Sequence, residues 1–300
     1  MDGFKISSTD EELELIENNA GVFKLLVDDE KLEIIESFVH AGRTILCQPH
    51  EAKDAINVYL ILTGRLYHIN SRKYVEAGSR IEFKNISESQ HLSVLEDTKL
   101  IMIRTLVKFK EQFRMTNEIY KMIHLIQGKD HYTEDHCNDV GNLASQLAVY
   151  LKYDESVVEN VLFSGKVHDL GKVEIDEKIL LKPSSLDKYE FDSIMKHPQF
   201  GYNLLLEKTG DKDLSDILYQ HHERMDGSGY PEGLKGHEIR IEAQIIAVVD
   251  SYSAMTTDRP YRKAMSHEAA VEELIKGKVT LYNPELVDGF IELMDILRGV

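Results

Sequence analysis

Near residue 220 the sequence reads His221-His222-Glu223-Arg224-Met225-Asp226-Gly227-Ser228-Gly229-Tyr230-Pro231. The two histidines end an apolar-periodic run that begins near Leu214 and is typical of a helix. Turn-forming residues and a proline follow directly, so the helix must stop and give way to a rigid, glycine-rich loop. Adjacent imidazoles at a helix end indicate one of two things. They are either a metal site with a loop packed over it, or an exposed helix end where histidines suit the negative end of the helix dipole.

The composition describes an acidic chain with room for two domains. Lys and Arg number 35 against 52 Asp and Glu in 300 residues, which gives a formal charge of −17. A field of this sign repels nucleic acid and anionic membranes, so no nucleic-acid polymer is expected as a partner. The apolar runs are too short for membrane insertion, and residues 1–21 do not resemble a signal peptide. Two cysteines, Cys47 and Cys137, make no disulfide framework, which fits a cytoplasmic location.

The first part of the chain predicts a small antiparallel β domain preceded by helices. Apolar residues in Glu11–His40 recur at spacings near three and four and predict two helices. In Arg43–Ile103 the pattern changes to short runs of Val, Ile, Leu and Tyr separated by polar or glycine turns, which predicts a barrel or sandwich. These segments form a predicted first domain, residues 1–104, and a connecting helix is predicted over residues 105–127.

The strand region resembles the β-roll of cyclic-nucleotide-binding-like domains. The resemblance is carried by Val58–Leu66 and by Gly78-Ser79-Arg80-Ile81. Such domains hold the cyclic phosphate through a short helix opened by Gly-Glu and through a later arginine, but Phe83–Glu88 supplies no matching glycine or arginine. We therefore favour a different sensory ligand, or a structural role, over cyclic-nucleotide binding. A homodimer formed through this domain or the connecting helix is one such role.

Residues 128–300 predict an all-α bundle, since the apolar stripes have helical spacing and no alternating strand pattern appears. Five features of this region suit metal ligation. They are His136 near a predicted helix start, His168-Asp169 on the last turn of another helix, His197 before a proline, His221-His222, and Asp250 after the apolar run Ile245–Val249. Each feature has an ordinary explanation by itself, as a cap, a loop residue or a charge pair. Together they predict one site built from several facing helices.

The order His, His-Asp, His, His-His, Asp resembles the HD-GYP family of bacterial cyclic-dinucleotide phosphodiesterases. The match runs over residues 130–300, and its motifs are His168-Asp169-Leu170-Gly171-Lys172, His221–Pro231, and Asp250 with Asp258–Arg262. The resemblance implies a metal-dependent enzyme that hydrolyses cyclic di-GMP to the linear dinucleotide, GMP or both. Two alternatives stay open, a weakly active cyclic-dinucleotide-binding effector or scaffold, and an enzyme that prefers hybrid cyclic GMP-AMP.

The same resemblance assigns ligands for two divalent ions. One ion would be held by His136, His168, Asp169 and Asp250, and the second by Asp169, His197, His221 and His222. Imidazole and carboxylate ligands suit iron or manganese. Lys172 lies one turn after Asp169 and is a candidate to contact a phosphate oxygen or the leaving group, while Arg259 and Arg262 are candidate phosphate clamps. The family position for a ligand of a third metal is Tyr132 here, so two metals are predicted.

The glycine-rich segment Asp226-Gly227-Ser228-Gly229-Tyr230-Pro231 is predicted to cover the site as a lid. In the family this loop is also implicated in contacts with GGDEF-type partner proteins, and we favour packing over partner binding. Three positions depart from the family pattern. Cys137 and Asp139 replace the usual serine and arginine after the first histidine, and Ser253 replaces an acid. We expect these changes to affect substrate recognition more than the metals.

Overall fold

A computed structural model describes residues 13–18, 20–29, 31–49, 55–105, 133–182, 184–258 and 263–299 of the chain. The chain divides into two compact units, residues 1–115 and 116–300. The division falls within residues 106–132, which lie outside the described ranges. The predicted domain boundaries and the connecting helix over residues 105–127 therefore stay predictions.

The described part of the first unit consists of antiparallel strands in two sheets. The strands are β1 Glu14–Asn18, β2 Gly21–Asp29, β3 Leu32–Val39, β4 Thr44–Cys47, β5 Ile56–Thr63, β6 Arg65–His68, β7 Lys73–Glu76, β8 Arg80–Lys84, β9 Gln90–Val94 and β10 Thr98–Arg104. One sheet has the order β1-β2-β3-β10-β5-β8, and the other has the order β4-β9-β6-β7. Both contribute to one hydrophobic core, which includes Ile35, Tyr59, Leu92 and Leu100. The predicted antiparallel β architecture is thus confirmed from β4 onward.

The two helices predicted in Glu11–His40 are wrong, because the described residues of this segment form β1, β2 and β3. In β3, four buried residues alternate with half-buried ones, as a strand requires, and they are Glu33, Ile35, Ser37 and Val39. Two of these four are polar, and apolar Ile34 and Phe38 occupy the other face. The apolar residues therefore recur at three- and four-residue spacings although the backbone is extended. Pairing of β3 with both β2 and β10 decides the conformation.

Residues 85–89 connect β8 to β9 through bends. These residues contain no short helix of the kind that opens a cyclic-phosphate site, which agrees with the missing glycine and arginine in Phe83–Glu88. The likeness to cyclic-nucleotide-binding-like domains and the sensory or dimerising role of this unit stay predictions.

The described part of the second unit is helical, as predicted. Its helices are α1 Thr133–Tyr150, α2 Glu155–Val167, α3 Glu177–Leu180, α4 Lys188–Ile194, α5 His197–Thr209, α6 Lys212–Gln220, α7 Ile241–Thr256, α8 His267–Gly277 and α9 Pro284–Arg298. Helix α7 is central, since it packs against α1, α2, α8 and α9 and is buried continuously over Ile245–Val249. None of the described helices combines the length and the apolarity that crossing a bilayer requires.

The 3-10 turn Leu170–Glu174 packs directly on the start of α5. Gly171 lies at this contact, and a Cβ atom there would overlap the carbonyl oxygen of His197. Glycine therefore lets the two backbones touch. This close approach brings Asp169 and Lys172 beside the first turn of α5.

Candidate metal centre

The predicted ligands meet in one region of the helical unit, and most of them stand at helix ends. His168 and His221 directly follow the last residues of α2 and α6, and His197 opens α5. His136 lies in the first turn of α1, and Asp250 comes from the second half of α7. Because several helices end at the same place, side chains from distant parts of the sequence converge there.

The first group of ligand atoms belongs to His136, His168 and Asp250. The Nε2 atom of His136 lies 3.1 Å from Oδ1 of Asp250, and Nε2 of His168 lies 3.8 Å from the same oxygen. The three candidate ligand atoms lie within 4.8 Å of one another. One cation with metal–ligand distances near 2 Å could contact all three.

The second group belongs to His197, His221 and His222, with Nε2 of His197 only 3.3 Å from Nε2 of His221. Asp169 lies between the two groups. Its Oδ2 atom is 3.4 Å from Nε2 of His168, and its Oδ1 atom is 3.5 Å from Nε2 of His197. A carboxylate that offers one oxygen to each group has the arrangement that a bridging ligand requires.

Backbone carbonyls orient three of these imidazoles. In each case Nδ1 bonds the carbonyl oxygen three residues earlier, and the pairs are His168 with Gly165, His197 with Ile194 and His221 with Leu218, at 2.6 to 2.8 Å. A carbonyl oxygen only accepts, so Nδ1 must carry the proton and Nε2 of the neutral ring presents a lone pair. Metal-ligating histidines commonly use their second nitrogen in this way.

The Nε2 atoms of these three imidazoles are placed where a cation would stabilise them. The Nε2 lone pairs of His197 and His221 point toward each other at 3.3 Å, an arrangement that is repulsive unless a cation lies between them. Nε2 of His168 is buried and has no hydrogen-bond partner among the described residues. Leaving such a group unpaired costs about 1–3 kcal/mol. The donor set and its geometry therefore fit divalent metal ions.

Burial keeps the imidazoles of His197, His221 and His222 neutral. It lowers the pKa of His197 to about 4, and it lowers the pKa of His221 and of His222 well below the usual value with help from the adjacent imidazoles. Burial alone would raise the pKa of Asp169, but the positive charge of Lys172 outweighs it and holds that pKa well below the usual range. Neutral imidazole and ionised carboxylate are the forms that bind metal.

Lys172 and Cys137 add two further groups to the site. Nζ of Lys172 lies 2.6 Å from Oδ2 of Asp169. Burial would lower the pKa of Lys172, but the attraction of Asp169 and Asp250 raises it, so the ammonium stays charged. The buried Cys137 thiol lies within 4.8 Å of candidate ligand atoms of His168 and Asp169. Cys137 stands out in the sequence as a departure from the family pattern after His136, but nothing there predicts that its thiol lies among the candidate ligand atoms.

Glu223 fastens the glycine-rich loop, and the sequence interpretation missed it. Its buried carboxyl group accepts hydrogen bonds from the backbone N–H groups of Glu232, Gly233 and Leu234 at 2.7 to 3.1 Å. The far end of the loop is thereby held against the residue that follows His222. Its position in the sequence, directly after His222 and just before the glycine-rich loop, is the signal that could have identified Glu223.

Gly229 and Tyr230 bring the loop onto a candidate ligand. A Cβ atom at Gly229 would lie 2.5 Å from backbone atoms of residues 222–224, so a larger residue does not fit. The Tyr230 ring stacks on His222 with centroids 4.8 Å apart and an interplanar angle of 27°. The Tyr230 N–H also donates to the carbonyl oxygen of His222 at 3.2 Å. This half of the predicted lid therefore packs directly on His222.

The other half of the predicted lid forms a tight turn. Oδ1 of Asp226 accepts from the Ser228 N–H at 2.9 Å, and Gly227 has a φ of 82°. Left-handed backbone of this kind favours glycine. These two residues shape the loop and make no described contact with the ligand groups.

Three residues named from the sequence, Arg259, Arg262 and Tyr132, lie outside the described residues. Their expected roles, as phosphate clamps and as the position of an absent third-metal ligand, stay predictions. The described residues on either side of the arginines are close, since Oδ1 of Asp258 accepts from the Ala264 N–H at 2.7 Å.

The Nδ1 atom of His136 contacts a side-chain hydroxyl, whereas the Nδ1 atoms of His168, His197 and His221 contact backbone carbonyls. Nδ1 of His136 lies 2.9 Å from the hydroxyl oxygen of Ser253, which stands one turn after Asp250 on α7. We expected the serine at this position to affect substrate recognition more than the metals. The contact places the hydroxyl on a candidate metal ligand, and the expectation about substrate recognition stays a prediction.

Comparison with known proteins agrees with this geometry. The family described as "HD domain" matches residues 114–286. The chain is 33% identical over 210 residues to a cyclic di-GMP phosphodiesterase of Thermotoga maritima, a match that covers 68% of this chain and 57% of that protein. It is 36% identical over 145 residues to the 3'3'-cGAMP-specific phosphodiesterase 1 of Vibrio cholerae, covering 48% and 34% of the two chains. The chain therefore spans between a third and somewhat over half of the length of these relatives.

Among solved structures, the chain is similar to Bd1817, an HDG"Y"P protein from Bdellovibrio bacteriovorus. The TM-score is 0.44 at 11% identity, with 84% of this chain and 100% of that chain covered. The chain belongs to the HD domain family, because the family match covers more than half of it. Within that family, the motifs around His168-Asp169 and Gly229-Tyr230-Pro231 and the similarity to cyclic di-GMP phosphodiesterases confirm the HD-GYP group. Hydrolases of the HD domain family bind divalent metals, and the described residues include groups that could hold such ions.

Proposed function

We propose that this chain is a metal-dependent phosphodiesterase that hydrolyses cyclic di-GMP to the linear dinucleotide, GMP or both. The observation that carries the proposal is the convergence of imidazole nitrogens into two groups with one carboxylate, Asp169, between them. Two ions per chain, iron or manganese, would occupy these groups. The ligands would be His136, His168 and Asp250 for one ion, His197, His221 and His222 for the other, and Asp169 for both.

Two bound divalent ions would polarise phosphoryl oxygens and lower the pKa of water toward about 7, which supplies a nucleophile at neutral pH. The chain's own residues supply the remaining requirements. Asp169 aligns both ligand groups, and the charged Lys172 ammonium, 2.6 Å from Asp169, is placed to neutralise a phosphate oxygen or to assist the leaving oxygen. Tyr230 covers His222 and limits the access of water on that side.

The charge of −17 makes these local cations necessary, since the field of the whole chain repels a dianionic substrate. Arg259 and Arg262 are proposed as further phosphate contacts, because a guanidinium binds phosphate through two parallel hydrogen bonds. A cytoplasmic location belongs to the same proposal and is supported by Cys47 and Cys137, neither of which forms a disulfide. Control by the first unit, dimerisation and a GGDEF-type partner stay predictions.

A second candidate substrate is the hybrid cyclic GMP-AMP. It is favoured by the 36% identity to a 3'3'-cGAMP-specific phosphodiesterase over 145 residues. Both substrates carry the same pair of bridging phosphates, so the metal centre does not discriminate between them. The difference must lie in contacts to one base.

The test is turnover by the purified full chain, prepared without oxygen and loaded with iron or manganese. Cyclic di-GMP and 3'3'-cGAMP are supplied in parallel, and products are separated by chromatography. We expect linear dinucleotide or GMP, and none above background from the His168→Ala, Asp169→Ala double variant. Tight binding without product would instead identify an effector or scaffold, and a faster reaction with 3'3'-cGAMP would reassign the substrate.

Metal analysis of the same preparation tests the ligand assignment. We expect two ions per chain. Three ions would contradict the assignment, because it provides ligands for two ions only.

A further inference from the structure

One candidate ligand, His136, is oriented by a side chain from a distant part of the sequence. Its Nδ1 atom lies 2.9 Å from Oγ of Ser253, 117 residues later in the chain, and both groups are buried. Its Nε2 atom lies 3.1 Å from Oδ1 of Asp250. One turn of α7 therefore holds both nitrogens of this ring, with Ser253 on one side and Asp250 on the other.

A hydroxyl differs chemically from the carbonyls that hold His168, His197 and His221. A carbonyl only accepts, so it fixes the proton on Nδ1 and leaves the Nε2 lone pair for a metal. A hydroxyl donates or accepts according to its rotation, so Ser253 is compatible with the proton on either nitrogen of His136. When the proton sits on Nε2, it points at Asp250 and blocks the metal-binding lone pair.

We propose that Ser253 is a positioning residue that makes the His136 group the weaker of the two metal sites. The inference rests on the metal centre of the proposed function and adds that its two sites differ in metal affinity. An acceptor that cannot donate would fix the metal-binding tautomer and raise the basicity of His136, as carboxylates do for other metal-bound histidines. A side chain without a polar atom would remove this partner from Nδ1.

The experiment measures bound metal, because hydrolysis is not needed to see the effect. Full-length wild type and the variants Ser253→Ala, Ser253→Asp and Ser253→Thr are titrated with Mn(II) against a competing chelator, and two affinities are fitted. We expect Ser253→Ala to weaken only the weaker site by about 10–100-fold, Ser253→Asp to tighten it, and Ser253→Thr, which keeps the hydroxyl, to match wild type.

Ser251→Ala is the matched control. It removes a hydroxyl from the same helix, where Ser251 accepts a hydrogen bond from Tyr282 at 2.9 Å. We expect both affinities to stay at wild-type values in this variant. Unchanged affinities in both Ser253→Ala and Ser253→Asp would overturn the role of Ser253. A chain that binds metal as expected but hydrolyses no cyclic dinucleotide would overturn the proposed function alone, so the two failures are distinguishable.

Discussion

Both units bury histidines, but they surround the ring nitrogens differently. In the first unit, His91 of β9 is 1% exposed, and neither of its ring nitrogens has a hydrogen-bond partner among the described residues. In the second unit, His168, His197 and His221 donate from Nδ1 to carbonyls and turn Nε2 toward other ligand atoms. Burial lowers the pKa of His91 and of His197 alike, in each case to about 4.

The comparison shows that a lowered pKa does not by itself mark a functional site. The same loss of hydration acts on His91 and His197, and it makes both rings neutral at pH 7. What distinguishes His197 is a second imidazole nitrogen at 3.3 Å and a carboxylate oxygen at 3.5 Å. Burial prepares an imidazole to bind metal, but convergence of several ligands makes the site.

Removing the carboxylate between the two ligand groups gives the largest expected effect. Asp169→Ala takes one contact from each group, so we expect it to lower the bound metal of both. Turnover of cyclic di-GMP should fall by more than about 100-fold. Mutating even a residue that only hydrogen-bonds a metal ligand typically lowers metal affinity or activity by about 10–100-fold. Elemental analysis and product chromatography measure the two quantities.

Asp288→Ala is the matched control for that variant. Asp288 is an exposed aspartate of α9 whose carboxyl pairs with Lys278 at 2.6 Å. Its loss should leave metal content and turnover near wild-type values. If Asp169→Ala keeps two ions per chain, Asp169 does not bridge the two groups.

Glu223 and His91 are both buried, but the Glu223 carboxyl group accepts three hydrogen bonds, whereas the His91 ring nitrogens have no partner among the described residues. An apolar replacement should therefore lower the free energy of unfolding at Glu223 and raise it at His91. Glu223→Ala leaves three backbone N–H groups without their acceptor. We expect the free energy of unfolding to fall by about 3 kcal/mol, because hydrogen bonds to charged groups are worth about 1.5–3 kcal/mol each and water will replace part of the loss. Thermal unfolding followed by circular dichroism measures it.

Glu207→Ala on the exposed face of α5 provides the control, with an expected change within about 0.5 kcal/mol. Turnover should also fall in Glu223→Ala, since the loop that carries Tyr230 loses its anchor. Equal melting temperatures for Glu223→Ala and wild type would mean that the loop holds itself in place.

His91 should make the first unit sensitive to acid. Its folded-state pKa of about 4 lies below its ordinary value of 6.5, so the unfolded chain binds more protons between these two pH values. Stability is therefore full above pH 6.5 and falls as the pH drops toward 4, by about 2 kcal/mol at pH 5. His91→Leu should remove this slope and stabilise the unit, because it buries no unpaired nitrogen.

Hydrogen exchange of β9 peptides at pH 7.5 and pH 5, corrected for the intrinsic exchange rate, reports the local stability of this unit. The exposed His40→Leu variant is the control and should keep the wild-type difference between the two pH values. A slope that survives in His91→Leu would assign the acid sensitivity to another group.

The two units also differ in how far their structure could be predicted from the sequence. The helical unit could be predicted because its stripes are long, and because His168-Asp169 and His221-His222 stand in local motifs. In β3 the buried face carries the polar residues Glu33 and Ser37, so apolar and polar residues do not alternate along the sequence. The apolar residues instead recur at the spacing that is typical of a helix. Only pairing with β2 and β10, which the local sequence does not encode, makes that segment a strand.

The same limit applies inside the candidate site. That the candidate ligands lie together could be predicted, since their order along the chain resembles that of the HD-GYP family. The partners that orient them could not, because the contact of Ser253 with His136 joins residues 117 positions apart. Glu223 lies within the quoted motif, but its acceptors appear only once the loop has folded back upon it.

Tyr230 offers the smallest expected effect and separates packing from hydroxyl chemistry. Its ring stacks on His222, whereas its hydroxyl makes no described hydrogen bond. Tyr230→Phe keeps the ring, so the metal affinity of the His197, His221 and His222 group should stay within about twofold of wild type. Tyr230→Ala removes a stacked pair worth about 1 kcal/mol and should weaken that group about fivefold. Chelator competition measures both variants, and a Tyr230→Phe affinity as low as that of Tyr230→Ala would show that the hydroxyl, and not the stacked ring, supports His222.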